Sequence, residues 1–499
     1  MEQLSFIKTP IDEYIVECFS ADDLCDDSER RNLEKKYSSY LEVTNKFNRQ
    51  SVSYQLSKKD QLHSWLKYKE GFSADLVNTL LDEMNSRPGD VIMDPFLGSG
   101  TTALVCQMRG INSIGYDIMP ISDIAIKAKA NCAIYDIDEI KKLIADVERM
   151  VVPSTYKGKT PYIKITQYAY PEDTEIFLSY IKDWNEKSNY SIETKNLLTL
   201  CIINSLEKIS YTTKAGQYLG WDSRSRKVIL GNIEREKKGK KPLAPKIVRE
   251  VIPEAKVTIV KELQHVLADI VMIQNNSAIH ENADINYIRN SVLFELPKLP
   301  DNSINGVITS PPYCNRYDYT RTYALELVYL GADEASIKKM RQELLSCTVE
   351  SKSKLEEIKE YYDSNGMLER FNEIREIINS NSVFSEIKEA MLKRKENGDL
   401  NNTGVVRMVE GYFTELAFIY AELFRICKPG SMVAFVNDNV RYGGEVIPVD
   451  FLSCSFAEQF GFSVRKVYCL KQQKGNSSQQ MAKFGRVALR KSITVWEKK

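Results

Sequence analysis

Several residue patterns that define common protein classes are missing from this chain of 499 residues. There are only three histidines, and none of the ten cysteines forms a Cys-x-x-Cys pair, which argues against a zinc site. No apolar run approaches the roughly 18 residues that a membrane helix requires. The acidic start of the sequence also lacks the basic and apolar regions of a signal peptide. We therefore expect a soluble cytoplasmic protein with reduced cysteines and no metal.

The chain also lacks an excess of either charge. It has 68 Lys and Arg against 68 Asp and Glu, and 43% of its residues are hydrophobic, as in an ordinary globular protein. The charge is nevertheless uneven: residues 1–40 hold ten acids and five bases, residues 221–250 ten bases and four acids, and residues 465–499 ten bases and one acid. Two basic stretches in a neutral chain indicate a basic surface, whereas the alternative for each is an ordinary solvated face.

Predicted strands alternate with predicted helices along the chain. Strands are expected at 91–96, 111–117, 285–291, 303–313, 432–438, 464–472 and 492–499. Helices are expected at 73–83, from 101 onwards, and from 412 to 427. This alternation predicts an α/β fold with a doubly wound sheet. Residues 120–280 and 331–404 have mostly helical patterns and are expected to interrupt that sheet as long insertions.

The first motif is a glycine-rich turn between a predicted strand and a predicted helix. It consists of Asp94, Pro95, Phe96, Leu97, Gly98, Ser99, Gly100, Thr101 and Thr102. Glycines at this position let the backbone approach a ligand, and the N-terminus of the following helix attracts an anion, here a carboxylate rather than a phosphate. Asp117 ends the next strand about 20 residues later, where an acid can bind the ribose hydroxyls of a nucleoside cofactor.

The second motif is Ser310, Pro311, Pro312 and Tyr313, directly after an apolar strand. Two prolines stop the sheet and hold the chain extended, which turns carbonyl groups outward. An exocyclic amino group among the Ser310 side chain, these carbonyls and the Tyr313 ring would have its hydrogens accepted and its nitrogen lone pair freed for attack. The alternative is a plain Pro-Pro turn with a packed tyrosine.

Together, DPFLGSGTT and TSPPY resemble the S-adenosylmethionine-dependent DNA amino-methyltransferases of restriction–modification systems, which methylate cytosine N4 or adenine N6. The serine of TSPPY resembles the cytosine-N4 group, because the adenine-N6 group usually has Asp or Asn at that position. The resemblance implies a Rossmann-like methyltransferase sheet of about seven strands, with the last pair antiparallel. It also implies a prokaryotic cytoplasmic protein that acts on double-stranded DNA, with a cognate restriction endonuclease or defence-system subunit as a further partner.

The resemblance assigns roles to particular residues. The catalytic group is Ser310, Pro311, Pro312 and Tyr313. S-adenosylmethionine is expected to contact Asp117 and the residues of the first motif other than Leu97. Phe72, in the segment YKEGF, and Asn290 are expected to join the cofactor site. Asn290 departs from the family, whose members often carry an acid at this place, but an amide can still hydrogen-bond an adenine.

The resemblance also divides the chain into six parts. They are an acidic arm (1–55), the cofactor-binding half of the core (56–135), an insertion that is the candidate target-recognition region (136–284), the catalytic half (285–330), a helical insertion that competes for the recognition role (331–404) and the C-terminal part of the core (405–499).

DNA contacts are expected in three regions. Behind the catalytic motif the candidates are Arg316, Tyr317 and Arg321. In the basic stretch from 224 to 249 they are Arg224, Arg226, Lys227, Lys237, Lys238, Lys240 and Lys241, and the bases after residue 465 are expected to contribute as well.

Three alternative functions stay open: a DNA adenine-N6 methyltransferase, an RNA methyltransferase and a non-catalytic DNA-binding subunit. A C5-cytosine methyltransferase is excluded, because its nucleophile is a cysteine that follows a proline and none of the 16 prolines here precedes a cysteine. Cys314, next to Tyr313, is expected to be a bystander.

Overall fold

The computed structural model describes residues 11–216, 218–243, 249–276, 283–470 and 481–499. Twelve strands form within these residues. In chain order they are β1 (Leu41–Val43), β2 (Val91–Asp94), β3 (Asn112–Tyr116), β4 (Thr212–Ala215), β5 (Tyr218–Trp221), β6 (Ile285–Ile288), β7 (Ile304–Thr309), β8 (Cys427–Asp438), β9 (Val440–Tyr442), β10 (Glu445–Ile447), β11 (Phe462–Leu470) and β12 (Lys491–Lys498).

The helices of the described residues surround these strands. In chain order they are α1 (Ser28–Tyr37), α2 (Tyr54–Ser57), α3 (Ala74–Glu83), α4 (Thr101–Met108), α5 (Pro120–Lys129), α6 (Ile137–Arg149), α7 (Glu172–Lys187), α8 (Ile192–Ser205), α9 (Arg226–Lys237), α10 (Ala255–Asn275), α11 (Val292–Glu295), α12 (Tyr319–Thr322), α13 (Ala324–Tyr329), α14 (Glu334–Glu343), α15 (Leu355–Ser364), α16 (Leu368–Ser380), α17 (Ser382–Glu396), α18 (Gly404–Ile426), α19 (Val449–Gln459) and α20 (Met481–Phe484). None of them is long and apolar enough to span a membrane.

Eight strands form the central sheet, in the order β1-β11-β12-β8-β7-β2-β3-β6. Strand β12 is antiparallel to both β11 and β8, and the other neighbouring strands run parallel. Because helices cover both faces of a parallel sheet, its inner strands are buried along nearly their whole length, as β7 and the second half of β8 are. The predicted Rossmann-like α/β fold and the antiparallel last pair are confirmed.

The predicted strand count of about seven is one short. The seven predicted strands are present, although residues 471–472 at the end of one prediction lie outside the described residues. The eighth strand is β1, in the segment predicted to be an acidic arm, where Leu41 pairs with Val467 of β11. Three residues with two exposed side chains give no periodic pattern, so this strand is fixed by its neighbour rather than by its own sequence.

Helix α3 shows how local sequence fixes the elements around the site. Ser73 caps its N-terminus by accepting a hydrogen bond from the backbone N–H of Leu76 at 3.3 Å. Its buried residues recur at helical spacing and pack against the sheet beside Ile92 and Ile308. The predicted helix over 73–83 is confirmed, with Ser73 as the cap.

The insertion at 136–284 forms a lobe with its own core. Helices α6, α7, α8 and α10 bury apolar residues against one another and against α5 and α13. One part of this stretch is not helical as predicted: β4 and β5 form an antiparallel hairpin, with Thr212 opposite Trp221. Its strands alternate only weakly between buried and exposed residues, which gave no clear strand pattern.

The insertion at 331–404 is built into the main core. Helices α16 and α17 bury Phe371, Ile374, Phe384 and Ile387 in the same apolar cluster as helix α18. Most of this insertion therefore covers the sheet rather than projecting from it.

Buried ion pairs join the first described segment to the C-terminal part of the core. The Arg490 guanidinium lies 2.6 Å from Glu34 and 2.6 Å from Asp450, with all three side chains buried. Arg30 is paired in the same way with Glu386 at 2.7 Å and with Glu445 at 2.9 Å. Removing one partner of such a pair leaves an uncompensated buried charge, so residues 27–37 belong to the folded core.

Candidate active site

The carboxyl ends of β2, β3, β6 and β7 meet at one edge of the sheet, where a cavity of about 800 Å³ opens. This is where parallel α/β sheets bind ligands. Ten predicted site residues line it: Phe72, Pro95, Phe96, Gly98, Ser99, Thr101, Asp117, Asn290, Ser310 and Pro312. The structure thus brings the two sequence motifs together in one cavity, although they are about 200 residues apart in the chain.

The turn after β2 requires its two glycines. Gly98 has φ +55° and Gly100 has φ +89°, both in the left-handed region that favours glycine. A Cβ atom on Gly98 would lie 3.0 Å from the Tyr68 ring, and one on Gly100 would lie 2.1 Å from the Ile126 side chain. Any side chain at either position would therefore disturb the cavity wall.

Asp94 does not line the cavity but is hydrogen-bonded to the residues around this turn. Its carboxylate accepts hydrogen bonds from the Thr102 hydroxyl at 2.8 Å, the Thr309 hydroxyl at 2.6 Å and the Phe96 N–H at 3.1 Å. Burial raises the pKa of Asp94 to about 6 against the opposing effect of these bonds. Asp94 and Thr102 therefore fasten β2 to α4 and β7.

Asp117 lines the cavity and is hydrogen-bonded to the glycine turn. Its carboxylate accepts the N–H of Gly98 at 2.8 Å and the N–H of Met119 at 2.7 Å. Burial raises the pKa of Asp117 to about 6, and these two bonds lower it. Since each carboxylate oxygen can accept two hydrogen bonds, Asp117 keeps capacity for a ligand hydroxyl.

Asn290 lies in the cavity wall, but its amide is engaged in its own turn. The Nδ2 group donates to Glu295 at 2.5 Å, and Oδ1 accepts the N–H of Ser291 at 2.8 Å. Residues 290–293 together form this part of the wall.

The catalytic motif places one polar side chain on the cavity. Ser310 and Pro312 line it, whereas Pro311 and Tyr313 lie beside them. The Ser310 hydroxyl donates a hydrogen bond to the Tyr313 hydroxyl at 3.0 Å. The ammonium group of Lys491 lies 4.9 Å from the centre of the Tyr313 ring, a cation–π distance.

An aromatic pair above the glycine turn was not predicted from the sequence. Tyr68 lines the cavity and stacks on Tyr323, with ring centres 5.0 Å apart and planes 11° from parallel. The Tyr323 hydroxyl donates to Glu70 at 2.5 Å. Tyr68 and Glu70 belong to YKEGF, the segment that pointed to Phe72, so proximity to that residue was the available signal.

A buried lysine behind the turn was also missed. Lys129, at the end of α5, is 0% exposed and donates to the Ser99 carbonyl at 3.2 Å. It forms no ion pair with a carboxylate in the described part of the chain, and burial lowers its pKa to about 7. The same ammonium helps to lower the pKa of the buried His63. A lysine in the last turn of an amphipathic helix gives no sign in the sequence that it points inward.

Cys314 is wholly buried, and burial raises the pKa of its thiol well above the ordinary value. A buried thiol of this kind is a poor nucleophile, in agreement with the bystander role expected from the sequence. Among the described residues, no group of His, Cys, Asp and Glu side chains is arranged to hold a metal ion.

Comparison with known proteins shows the family of this chain. The sequence model of the DNA methylase family matches residues 19–127, which include the glycine turn. The type II methyltransferase M.BsoBI of Geobacillus stearothermophilus is 51% identical over 490 residues, covering 97% of this chain and 95% of that protein. The chain belongs to the DNA amino-methyltransferase family. The type II methyltransferase M.AvaI of Nostoc sp. is 35% identical over 483 residues, covering 93% and 92% of the two chains.

DNA amino-methyltransferases of this family use S-adenosylmethionine as methyl donor. The cavity residues fit that cofactor. The glycine turn and the start of α4 suit its carboxylate, Asp117 suits the ribose hydroxyls, and the apolar Phe72 and Phe96 suit its uncharged parts.

The DNA-contact candidates near the catalytic motif are mostly engaged within this methyltransferase. Arg321 pairs with Asp318 at 3.1 Å and with Glu350 at 2.9 Å. The Arg316 guanidinium lies 5.6 Å from the Tyr442 ring centre, and Tyr317 is half-buried. All three side chains are partly buried and contact other residues of the chain.

The candidates at 224–241 divide into two groups. Arg224 pairs with Asp222 at 2.6 Å, Arg226 lies over Tyr168 and Lys227 lies over Trp221, so these three stabilise the lobe. The other group is exposed and forms no ion pair within the described residues; it consists of Lys237, Lys238, Lys240 and Lys241. Lys237 is the last residue of α9, and the other three follow it; α9 has no buried residue.

Proposed function

We propose that this methyltransferase modifies the exocyclic N4 of cytosine at a specific site in double-stranded DNA. The observation that carries this proposal is the serine at position 310, whose hydroxyl is the polar side chain that the catalytic motif places on the cavity. A restriction–modification system supplies the biological setting: the enzyme would act in the bacterial cytoplasm and protect host DNA against a cognate endonuclease.

The hydrogen bond between Ser310 and Tyr313 prepares the serine oxygen as an acceptor. Because Ser310 donates its own proton to the Tyr313 hydroxyl, both oxygen lone pairs can receive an amino hydrogen of the base. Accepting that hydrogen leaves the nitrogen lone pair free and stabilises the positive charge that develops on the nitrogen during transfer.

S-adenosylmethionine supplies the methyl group when it is bound. The chain contributes alignment of the base nitrogen, with Pro312 and Ser310 fixing the base at the mouth of the cofactor cavity. No nucleophilic side chain is needed for this direct transfer, which agrees with the burial of Cys314.

The target base must leave the duplex to enter this cavity, at a cost of a few kcal/mol. Tyr313 offsets part of that cost by stacking on the base, worth about 1–3 kcal/mol. Lys491 covers one face of the Tyr313 ring, so the base stacks on the other face.

The exposed lysines at the end of α9 supply phosphate contacts. They stand on a helix that buries no residue and that also exposes Ile229 and Ile233. The competing insertion at 331–404 instead uses its apolar residues in the main core. The basic residues after 465 contribute through Lys491, whereas residues 471–480 of that stretch lie outside the described residues.

The test is to express the chain in a bacterial host without DNA methylation, digest its DNA to nucleosides and identify the modified base by mass spectrometry. N4-methylcytosine is expected, and sequencing of the same DNA gives the recognised site. A Gly98→Asp variant, whose cofactor cavity is blocked, is the matched control.

N6-methyladenine as the sole product would overturn the cytosine assignment. Methylated RNA with unmodified DNA would favour an RNA substrate. Purified protein that binds DNA but transfers no labelled methyl group would favour the non-catalytic subunit.

A further inference from the structure

The β4–β5 hairpin (Thr212–Trp221) stands beside the mouth of the active site. Tyr319, the first residue of α12, lines the same cavity as Ser310. Helix α12 packs against β5, which places the hairpin next to the catalytic motif. The proposed chemistry leaves this hairpin without a role.

Strand β4 of the hairpin is firmly held. Lys214 forms a buried ion pair with Glu326 at 2.6 Å, and its ammonium lies 4.1 Å from the centre of the Tyr323 ring. Tyr323 in turn stacks on Tyr68 of the cofactor cavity. Arg249 adds hydrogen bonds of 2.8–3.0 Å to three backbone carbonyls that precede or begin the hairpin.

The tip of the hairpin, in contrast, presents an aromatic ring to solvent. Tyr218 is 62% exposed, which is unusual for a large ring on a strand that is anchored in a core. The Arg321 guanidinium lies 6.0 Å from its ring centre and is itself fixed by Asp318 and Glu350. The ring is therefore supported from one side and open on the other.

The surroundings of the tip indicate a nucleic acid as the occupant. Four residues separate β5 from α9, and the far end of that helix leads to the exposed lysines at 237–241. Proteins that bind nucleic acid combine open aromatic rings, which stack on bases, with basic side chains, which hold phosphates. The lobe carries both features, the ring on β5 and the lysines at the end of α9.

We infer that the hairpin enters the duplex beside the target base and that Tyr218 fills the space the base leaves when it rotates into the cavity. Side chains inserted between base steps stabilise an opened duplex in this manner. The inference rests on the proposed function, because it requires a base that leaves the stack. It also gives a reason for the anchoring: Lys214, Tyr323 and Tyr68 connect the inserted hairpin rigidly to the cofactor cavity.

The experiment compares two synthetic duplexes that carry the site mapped by sequencing. In one the target base is correctly paired, and in the other it faces a mismatched base, so that it is already partly open. Single-turnover methylation is measured for wild type, Tyr218→Ala and Tyr218→Phe. The control is Tyr162→Ala, which removes an equally exposed tyrosine (60%) elsewhere in the same lobe.

We expect Tyr218→Ala to methylate the paired duplex at least ten times more slowly than wild type. On the mismatched duplex its rate should return to within about twofold of wild type, because the base needs less help to leave the stack. Tyr218→Phe keeps the ring and should resemble wild type on both duplexes, as should Tyr162→Ala. Thermal unfolding checks that each variant is folded.

Two results would overturn the inference. A wild-type rate for Tyr218→Ala on the paired duplex would show that the ring is dispensable. An equal loss on both duplexes would show an ordinary binding contact instead of a role in opening. If wild-type protein methylates neither duplex, the proposed function has failed rather than the role of Tyr218.

Discussion

Replacing Lys129 by Met is expected to stabilise the fold and to weaken cofactor binding at the same time. Methionine has a similar length and fills the same space without a charge. The ammonium it removes is wholly buried, forms no carboxylate pair in the described structure and touches the glycine turn through the Ser99 carbonyl. The two effects have opposite signs because the charge is costly for folding but useful for the turn.

The magnitude follows from the pKa of Lys129. Lowering it from 10.5 to about 7 corresponds to about 5 kcal/mol against the charged form, at about 1.36 kcal/mol for each tenfold change. Loss of the hydrogen bond to the Ser99 carbonyl offsets about 1.5–3 kcal/mol, the range for bonds to charged groups. A net gain of about 2–3.5 kcal/mol in the free energy of unfolding is therefore expected at pH 6.

The gain should depend on pH with a definite sign. Below about pH 7 Lys129 is charged in both the folded and the unfolded chain, so wild type carries the whole penalty. Between about pH 7 and 10.5 the folded chain releases this proton while the unfolded chain keeps it, and wild-type stability rises. The advantage of Lys129→Met should therefore shrink as pH rises through this window.

Urea unfolding from pH 6 to 10 measures the first effect, and calorimetric titration with S-adenosylmethionine measures the second. We expect the dissociation constant to rise about tenfold, which is about 1.4 kcal/mol, as the Ser99 carbonyl loses its partner. Lys127→Met, on the exposed face of the same helix, is the control. Lower stability of Lys129→Met at pH 6, or unchanged cofactor affinity, would refute the reasoning.

Four further sets of variants test the site and the DNA surface. Gly98→Asp should abolish S-adenosylmethionine binding in calorimetry, since even its Cβ would press on the Tyr68 ring; normal affinity would contradict the position of the cofactor. Ser310→Ala should slow single-turnover methylation with little change in DNA affinity, because its hydrogen bond matters when the amino group is polarised; a full rate would remove its assigned role. Tyr313→Phe keeps the stacking ring but leaves Ser310 without its acceptor, so a smaller loss of rate than in Tyr313→Ala is expected in the same assay. Joint replacement of the exposed lysines by Ala should reduce the salt dependence of DNA binding by about one unit for each phosphate that is no longer neutralised, without changing the methylated site; an unchanged slope would place the phosphate-binding residues elsewhere. These are Lys237, Lys238, Lys240 and Lys241.

The sequence predicted the parts of the fold that follow from short-range patterns. Strands such as β7 contain short apolar runs, here Val307 and Ile308, because both faces of the sheet are covered. Helix α3 has both its cap and its buried face in the sequence. Helix α18 was predicted from 412 and begins at Gly404, since its first two turns pack on the insertion before it rather than on the sheet. Strand β1 depends on its pairing with the distant β11, and the β4–β5 hairpin alternates only weakly between buried and exposed residues, so neither had a comparable pattern.

The site residues, like the elements of the fold, divide into those predicted from a local pattern and those that only the folded chain brings together. Residues that contact the cavity through a compact motif, such as Gly98 and Ser310, were predicted, because the chemistry of the motif depends on their order in the chain. Tyr68, Lys129 and Leu344 reach the site from three separate elements, and only the folded chain shows that they meet there. Arg321 looked like a surface cation in the sequence, but its ion pairs to Asp318 and Glu350 could not be read from spacing alone.

The buried pairing of Glu34 with Arg490 has a consequence during protein synthesis. The two partners are 456 residues apart, so Glu34 leaves the ribosome long before its counter-ion exists. At roughly 5–20 residues per second, the interval is about 20–90 s. Throughout that time residues 27–37 cannot complete their native contacts and are available to chaperones and proteases. Slower translation of the intervening chain should therefore lower the yield of intact protein, even though the mature fold would be unchanged.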